Sequence, residues 1–180
     1  MSGILIRDYA APDRDGVNAV ARAAFLQYEG EYEEWTTFIA GIGRMAELAQ
    51  DAGLVVAERA GRIVGAVAHI APGRPRSAIF PEEWSVIRML VVDPAHRGHG
   101  IGRGLVAACL QRAQRANAPA IGLHTSPIMA SALRLYGALG FERDRDLPPI
   151  RGVPYGRYVL PAARIPAALE LLADQSGPSD

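Results

Sequence analysis

The chain has 180 residues, 49% of them hydrophobic and 21% charged, which suits one globular domain with a substantial core. Nineteen acidic residues cancel nineteen basic ones, which argues against a general nucleic-acid binder. No apolar run reaches the length of a membrane span, the opening residues lack the pattern of a signal peptide, and one cysteine, Cys109, excludes an internal disulfide framework; a cytoplasmic protein is expected.

The first element is a strand: "ILIRDY" (4–9) alternates apolar and polar residues. Pro12 and Asp13 open a helix whose apolar positions are Val17, Val20, Ala21, Ala24 and Phe25. A second helical stripe runs through Trp35, Ile39, Ile42, Ala46 and Ala49, with Gly41 and Gly43 marking a break. "LVVAERAGRIVGAVAHI" (54–70) reads as a hairpin turning near Ala60-Gly61, followed by a proline-rich loop over 71–83. "WSVIRMLVV" (84–92) is apolar at nearly every position, the pattern of a central strand covered on both faces.

After Asp93-Pro94, the stretch "HRGHGIGRG" places glycine at 98, 100, 102 and 104. A helix stripe follows at Ile101, Leu105, Cys109, Leu110 and Ala113, then a strand "AIGLHT" (120–125). Met129, Ala132, Leu133, Tyr136 and Leu139 predict a helix that Gly140 can terminate. Strands are predicted from Phe141 and over "YGRYVL" (155–160), and a short helix over 166–173, with "QSGPSD" as a solvated tail. The order β-α-α-β-β-β-α-β-α-β-β defines a mixed α/β domain.

Glycines between a buried strand and an amphipathic helix do not make a flexible linker. A helix N-terminus offers backbone N–H groups without intrahelical partners and a partial positive charge, and glycine lets a phosphate approach the main chain. The stretch has neither the lysine of a P-loop nor a G-x-G-x-x-G, because position 103 is arginine. CxxC and HExxH spacings are absent, so no zinc site is expected.

Arg97-Gly98-His99-Gly100-Ile101-Gly102 matches R-x-x-G-x-G, and here the sequence resembles the GNAT superfamily of acyl-CoA-dependent N-acyltransferases. "MLVVDPAHRGHGIGRGL" carries the family's strand, proline and loop in register, and "ALRLYGALGFE" (132–142) resembles its later motif. The resemblance covers roughly residues 4–160, so a domain over 1–161 is expected, with a short helix and tail over 162–180. It implies a central, mostly antiparallel sheet flanked by helices, and direct transfer of an acetyl group from acetyl-CoA to a primary amine in a ternary complex. A non-catalytic acyl-CoA-binding module is the alternative. No metal is implied, and a homodimer is one assembly that similar proteins adopt.

By the same resemblance, Arg97, Gly98, His99, Gly100, Ile101, Gly102 and Arg103 hold the pyrophosphate of coenzyme A. The main chain of Leu90, Val91 and Val92 pairs with its pantetheine arm. Tyr136 falls on the tyrosine that protonates the departing sulfur; from the residues alone it is equally a half-buried helix aromatic. Two positions depart from the family pattern: Val86 stands where many members have an amine-activating glutamate, and Met129 where many have asparagine. Glu83 is then the expected base, with Glu82 and His124 as other candidates. Cys109 lies on an apolar stripe and reads as core.

All nineteen basic residues are arginine, so the chain has no lysine of its own to acylate. For the acceptor, "FLQYEGEYEEW" (25–35) offers Tyr28, Glu29, Glu31, Tyr32, Glu33, Glu34 and Trp35, which either attract a cationic amine or form a solvated helix start.

Overall fold

A computed structural model describes residues 3–174. Seven strands form one sheet: β1 (Leu5–Asp8), β2 (Gly53–Arg59), β3 (Arg62–Ile70), β4 (Ser85–Val92), β5 (Ala120–Thr125), β6 (Glu142–Ile150) and β7 (Val153–Pro161). The helices are α1 (Arg14–Phe25), α2 (Trp35–Ile42), α3 (Ile101–Arg115), α4 (Ala130–Ala138) and α5 (Ile165–Asp174). This is the predicted chain order. Across the sheet the strands run β1-β2-β3-β4-β5-β7-β6. Every neighbouring pair is antiparallel except β4–β5, which is parallel.

Each face of the sheet has its own core. Val55, Ala57, Val67, Ile87, Ile121 and Leu123 point towards α3, α4 and α5, while Leu54, Val56, Ala66 and Ala68 point towards α1 and the turns around it. Neighbours in a strand alternate between these sets, as the period of two requires. The second helical stripe does break: α2 stops at Ile42, and Met45–Gln50 continues as a 3-10 helix. Ile165, Ala168 and Leu172 of α5 are buried in the same core as α3, so this helix is integral to the fold. The "QSGPSD" tail lies outside the described residues.

Two irregularities shape β4. Opposite β3, Ala66 faces Val91 and Ala68 faces Arg88, so Met89 and Leu90 together oppose the single residue Val67. Met89 adopts φ 56°, uncommon for a residue with a Cβ, and this β-bulge turns both Met89 and Val91 towards α1. Beside β5, the parallel pairing consists only of Ser85↔Ile121 and Val86↔Gly122. Beyond Val86 the two strands part, leaving the Leu90–Val92 edge without a strand partner on that side.

The edge strand β6 is exposed along most of its length and ends in Leu147, Pro148, Pro149 and Ile150. Its hairpin with β7 is tied to the segment before α2. Glu33 N–H donates to Arg151 O (2.9 Å), Arg151 pairs with Glu34, and the hydroxyls of Tyr32 and Tyr155 share a hydrogen bond.

Gly65 sets the distance between β3 and α3. A Cβ there would meet Ile101 Cγ2 at 2.8 Å, Leu105 Cδ1 at 3.1 Å and Val91 O at 3.2 Å. Gly65→Val is therefore expected to destabilise the fold by about 1–3 kcal/mol through overpacking. Thermal unfolding should show a midpoint lower by several degrees; an unchanged midpoint would contradict this packing.

Candidate active site

The loop after β4 begins with Asp93, whose Oδ1 accepts from Ala95 N–H (2.9 Å), followed by a 3-10 turn over Pro94–His96. Gly98 (φ 79°) and Gly100 (φ 74°) then bend the chain into α3, with Gly100 as its N-cap. Both take backbone angles that favour glycine, and a Cβ at either would meet nothing within 4 Å. No side chain caps the helix, and the backbone N–H groups from Gly98 to Arg103 find no hydrogen-bond partner among the described residues. The result is an open concavity ringed by main-chain donors at the positive end of a fifteen-residue helix, which fits a phosphate group.

This concavity is one end of a cleft of about 690 Å³. Nine of the ten expected cofactor residues line it: Leu90, Val91, Val92, Arg97, Gly98, Gly100, Ile101, Gly102 and Arg103. His99 does not, because its ring folds back and Nδ1 lies 3.0 Å from Arg97 O and 3.2 Å from His96 O. The cleft also draws on Tyr28, which the sequence offered for the acceptor, and on residues it did not single out. Gln27 and Tyr28 follow α1, and Ser131, Arg134, Leu135 and Ala138 make a second stripe on α4. That stripe has helical spacing and was legible; it sits one step around the helix from the predicted core stripe. Arg134 adds a third arginine to the rim.

A second cavity, about 310 Å³, lies further back along β4. Phe80, Ile79, Leu147 and Ile150 give it apolar walls, and His124, Tyr155 and Arg88 supply polar groups. His124 stands on β5 just beyond the last residue paired with β4. Its Nδ1 is wholly buried with no hydrogen-bond partner. Among the described residues its Nε2 has no partner either, and it is not wholly buried; the residue lines the cavity. Burial, and secondly the charge of Arg88, hold its proton affinity below the ordinary histidine range, so the ring is neutral near pH 7.

Tyr136 is 4% exposed and packs edge-on against Phe141, with ring centroids 5.5 Å apart. Burial, with Cys109 beside it, raises its pKa, so the phenol keeps its proton. Its ring belongs to the core rather than to the cleft lining. Its hydroxyl makes no hydrogen bond and is not among the wholly buried, unpartnered atoms, so the little surface it retains includes that oxygen. Cys109 is core as expected, its thiol pushed up to about 12 by burial.

The structure bears on two expectations. Glu83, with Glu82, is exposed and lines neither cavity. Both sit in the turn closed by Trp84 N–H to Pro81 O (3.2 Å), just before the paired end of β4, whereas the sheet opens beyond Val86. The acidic segment takes the solvated alternative. Glu29, Glu31, Glu33 and Glu34 are exposed, while the aromatic residues between them turn inward, with Tyr32 stacked on Phe38 at 3.9 Å.

Among the described residues no three His, Cys, Asp or Glu side chains gather to hold a metal, and no helix is long and apolar enough to cross a membrane.

A protein-family model for the acetyltransferase (GNAT) family matches residues 15–141, and the chain belongs to that family. It is 34% identical over 92 residues to a mycothiol acetyltransferase of Thermomonospora curvata, spanning 51% of this chain but only 28% of that protein. Among solved structures, an N-acetyltransferase from Staphylococcus aureus Mu50 superposes with TM-score 0.71 at 18% identity, covering 89% of this chain and 99% of the other. The PaiA N-acetyltransferase of Thermoplasma acidophilum, solved in complex with coenzyme A, superposes with TM-score 0.65 at 15% identity, covering 86% and 98%. At these identities the two structures establish a common fold.

The cradle makes a direct prediction for cofactor binding. Gly100→Glu sets a carboxylate where a pyrophosphate would sit and strains a residue at positive φ. Calorimetric titration should show acetyl-CoA binding to the unaltered chain and at least about tenfold weaker binding to the variant, since charge-assisted donors are replaced by repulsion. Equal affinities would remove the loop from the binding site.

Proposed function

We propose that this chain is an acetyl-CoA-dependent N-acetyltransferase that transfers the acetyl group directly to a primary amine. One observation carries the reading: β4 lines both the cleft that ends in the main-chain cradle and, further back, a second cavity that includes the unpartnered imidazole of His124. A module that only bound the cofactor would need the first but not the second.

The residues divide the work as follows. The N–H groups of Gly98 to Arg103 hold the pyrophosphate, with Arg97, Arg103 and Arg134 adding positive charge at the rim. The free edge of Leu90–Val92 pairs with the amides of the pantetheine arm. An N–H on that edge polarises the thioester carbonyl, because the bulge at Met89 and the missing strand partner leave it aimed into the gap. Bound acetyl-CoA supplies the activated acyl group.

The amine enters from the smaller cavity. As its nitrogen bonds to the acyl carbon and the carbon–sulfur bond breaks, Nε2 of His124 takes the proton that nitrogen gives up. Tyr136, still protonated, donates to the departing sulfur. His124 replaces Glu83 as the base because it lines the cavity while Glu83 faces solvent.

Initial rates from coenzyme A thiol release test these roles. His124→Gln should lower kcat by about 10²–10⁴, the usual worth of a general base. In the unaltered chain the basic imidazole persists until pH falls through its lowered pKa, so the acid limb of kcat/KM should lie below about 6.5, the ordinary histidine value. The variant should lose that limb, and Glu83→Gln should leave it in place; the reverse pattern would restore Glu83 as the base.

Tyr136→Phe should reduce kcat while acetyl-CoA affinity, measured by calorimetry, stays within about twofold, since a buried phenol that only packs loses little on becoming Phe. Full activity in this variant would make Tyr136 a packing residue alone.

A further inference from the structure

Three arginines converge on the loop over 71–84 and the strand that follows, and two are fully engaged. Arg76 donates to the backbone carbonyls of Ala71, Arg74, Pro81 and Trp84. Arg157 grips Asp144, donates to Ile79 O (2.5 Å) and lies over the Trp84 ring, 4.9 Å from its centroid. Arg88 differs. It is exposed to solvent on one side, and among the described residues it donates no hydrogen bond and joins no ion pair.

Arg88 lines the 310 Å³ cavity and is the only charged residue to do so. It also borders a neighbouring groove that contains Glu47 and Asp51, yet neither acid bonds to it, and Glu47 is paired with Arg44 at 2.8 Å. A guanidinium beside apolar walls is a planar fork of donors whose best complement is a carboxylate, held through two parallel hydrogen bonds. Of the other polar residues lining the cavity, Ser77, Tyr155 and His124, the transferase reading makes His124 the acceptor of the amine's proton.

An amine and a carboxylate joined through one carbon would bring a chemical partner for each of these two groups, which line one cavity. From this juxtaposition we infer that the acceptor is a free amino acid with an apolar side chain, its carboxylate held by Arg88, its amine beside His124 and its side chain against Phe80, Ile79 and Leu147. The inference rests on the transferase reading above and narrows it. It also replaces the expectation of a purely cationic amine, since no acid lines this cavity. The cavity's size lies at the small end of small-molecule sites, which suits a single amino acid.

Arg88 and His124 interact across the cavity strongly enough for the arginine's charge to lower the histidine's proton affinity. A bound carboxylate would offset that charge. It would thereby make the imidazole a better base when the right acceptor is present.

The test compares matched acceptors: phenylalanine, phenylalaninamide and phenethylamine, and the corresponding leucine set, each with acetyl-CoA and a thiol-release readout. The decisive quantity is the ratio of kcat/KM for the amino acid to that for its amide and its decarboxylated amine, in the unaltered chain and in Arg88→Gln. The amino acid should lose about 10- to 100-fold in Arg88→Gln, the worth of a charge-assisted pair, while the two analogues without a carboxylate change little. Arg88→Lys should recover part of the loss. Acetyl-CoA affinity should be the same in all three proteins, because Arg88 is not part of the larger cleft. A ratio unaffected by Arg88→Gln overturns the inference and leaves the transferase reading standing. Thiol release with none of the amines overturns that reading, and the inference with it.

Discussion

The parting of β4 from β5 is the constraint on which the rest of this structure depends. Parallel strands that stay paired present a closed sheet, and a closed sheet has no unsatisfied main chain to offer. Here pairing stops after Val86↔Gly122. The proposed site then follows along the exposed stretch: the free edge of Leu90–Val92, the imidazole of His124, and the glycine loop at the end of β4. The gap survives because both faces of the sheet are held independently, by α3 and α5 on one side and by α1 on the other.

The glycine loop and the bulge serve the opening in different ways, and they differ in how visible they are in the sequence. Alternate glycines before an amphipathic helix have a local cause, so the motif is readable from the residues alone. The bulge has no such mark. Met89 takes a conformation that its own chemistry disfavours, and only the sheet around it holds it there. The order of strands and helices was legible for the same reason as the loop: periodicity is a local property, and burial of one face enforces it. Even the break after Ile42 could be seen, because Gly41 and Gly43 mark it.

Site residues were less legible where their role depends on direction. The choice of Glu83 rested on nearness in sequence to the central strand, but a turn ends between that residue and the opening, and the carboxylate faces solvent. His124 was a weaker candidate in sequence, a lone histidine near the end of a strand. Its claim comes from the neighbouring strand's departure, which leaves Nδ1 buried and Nε2 not wholly so, in a residue that lines a cavity. The acidic segment before α2 left two readings open, and the structure has the solvated one: the aromatic rings go inward to bury apolar area while the carboxylates keep their hydration outside. Arg88 carried no signal at all among nineteen arginines. It stands out only once the partners of Arg76 and Arg157 are known.

The edge strand β6 has a consequence beyond the cavity it helps to wall. Pro148 and Pro149 have no N–H to give, and the residues before them, Glu142 to Asp146, alternate in charge along an exposed rim. A second chain seeking to extend the sheet there would meet missing donors at one end and mismatched charges at the other. The strand that walls the small cavity with Leu147, Pro148 and Ile150 thus also carries, in its prolines and alternating charges, features that disfavour extension of the sheet at this border.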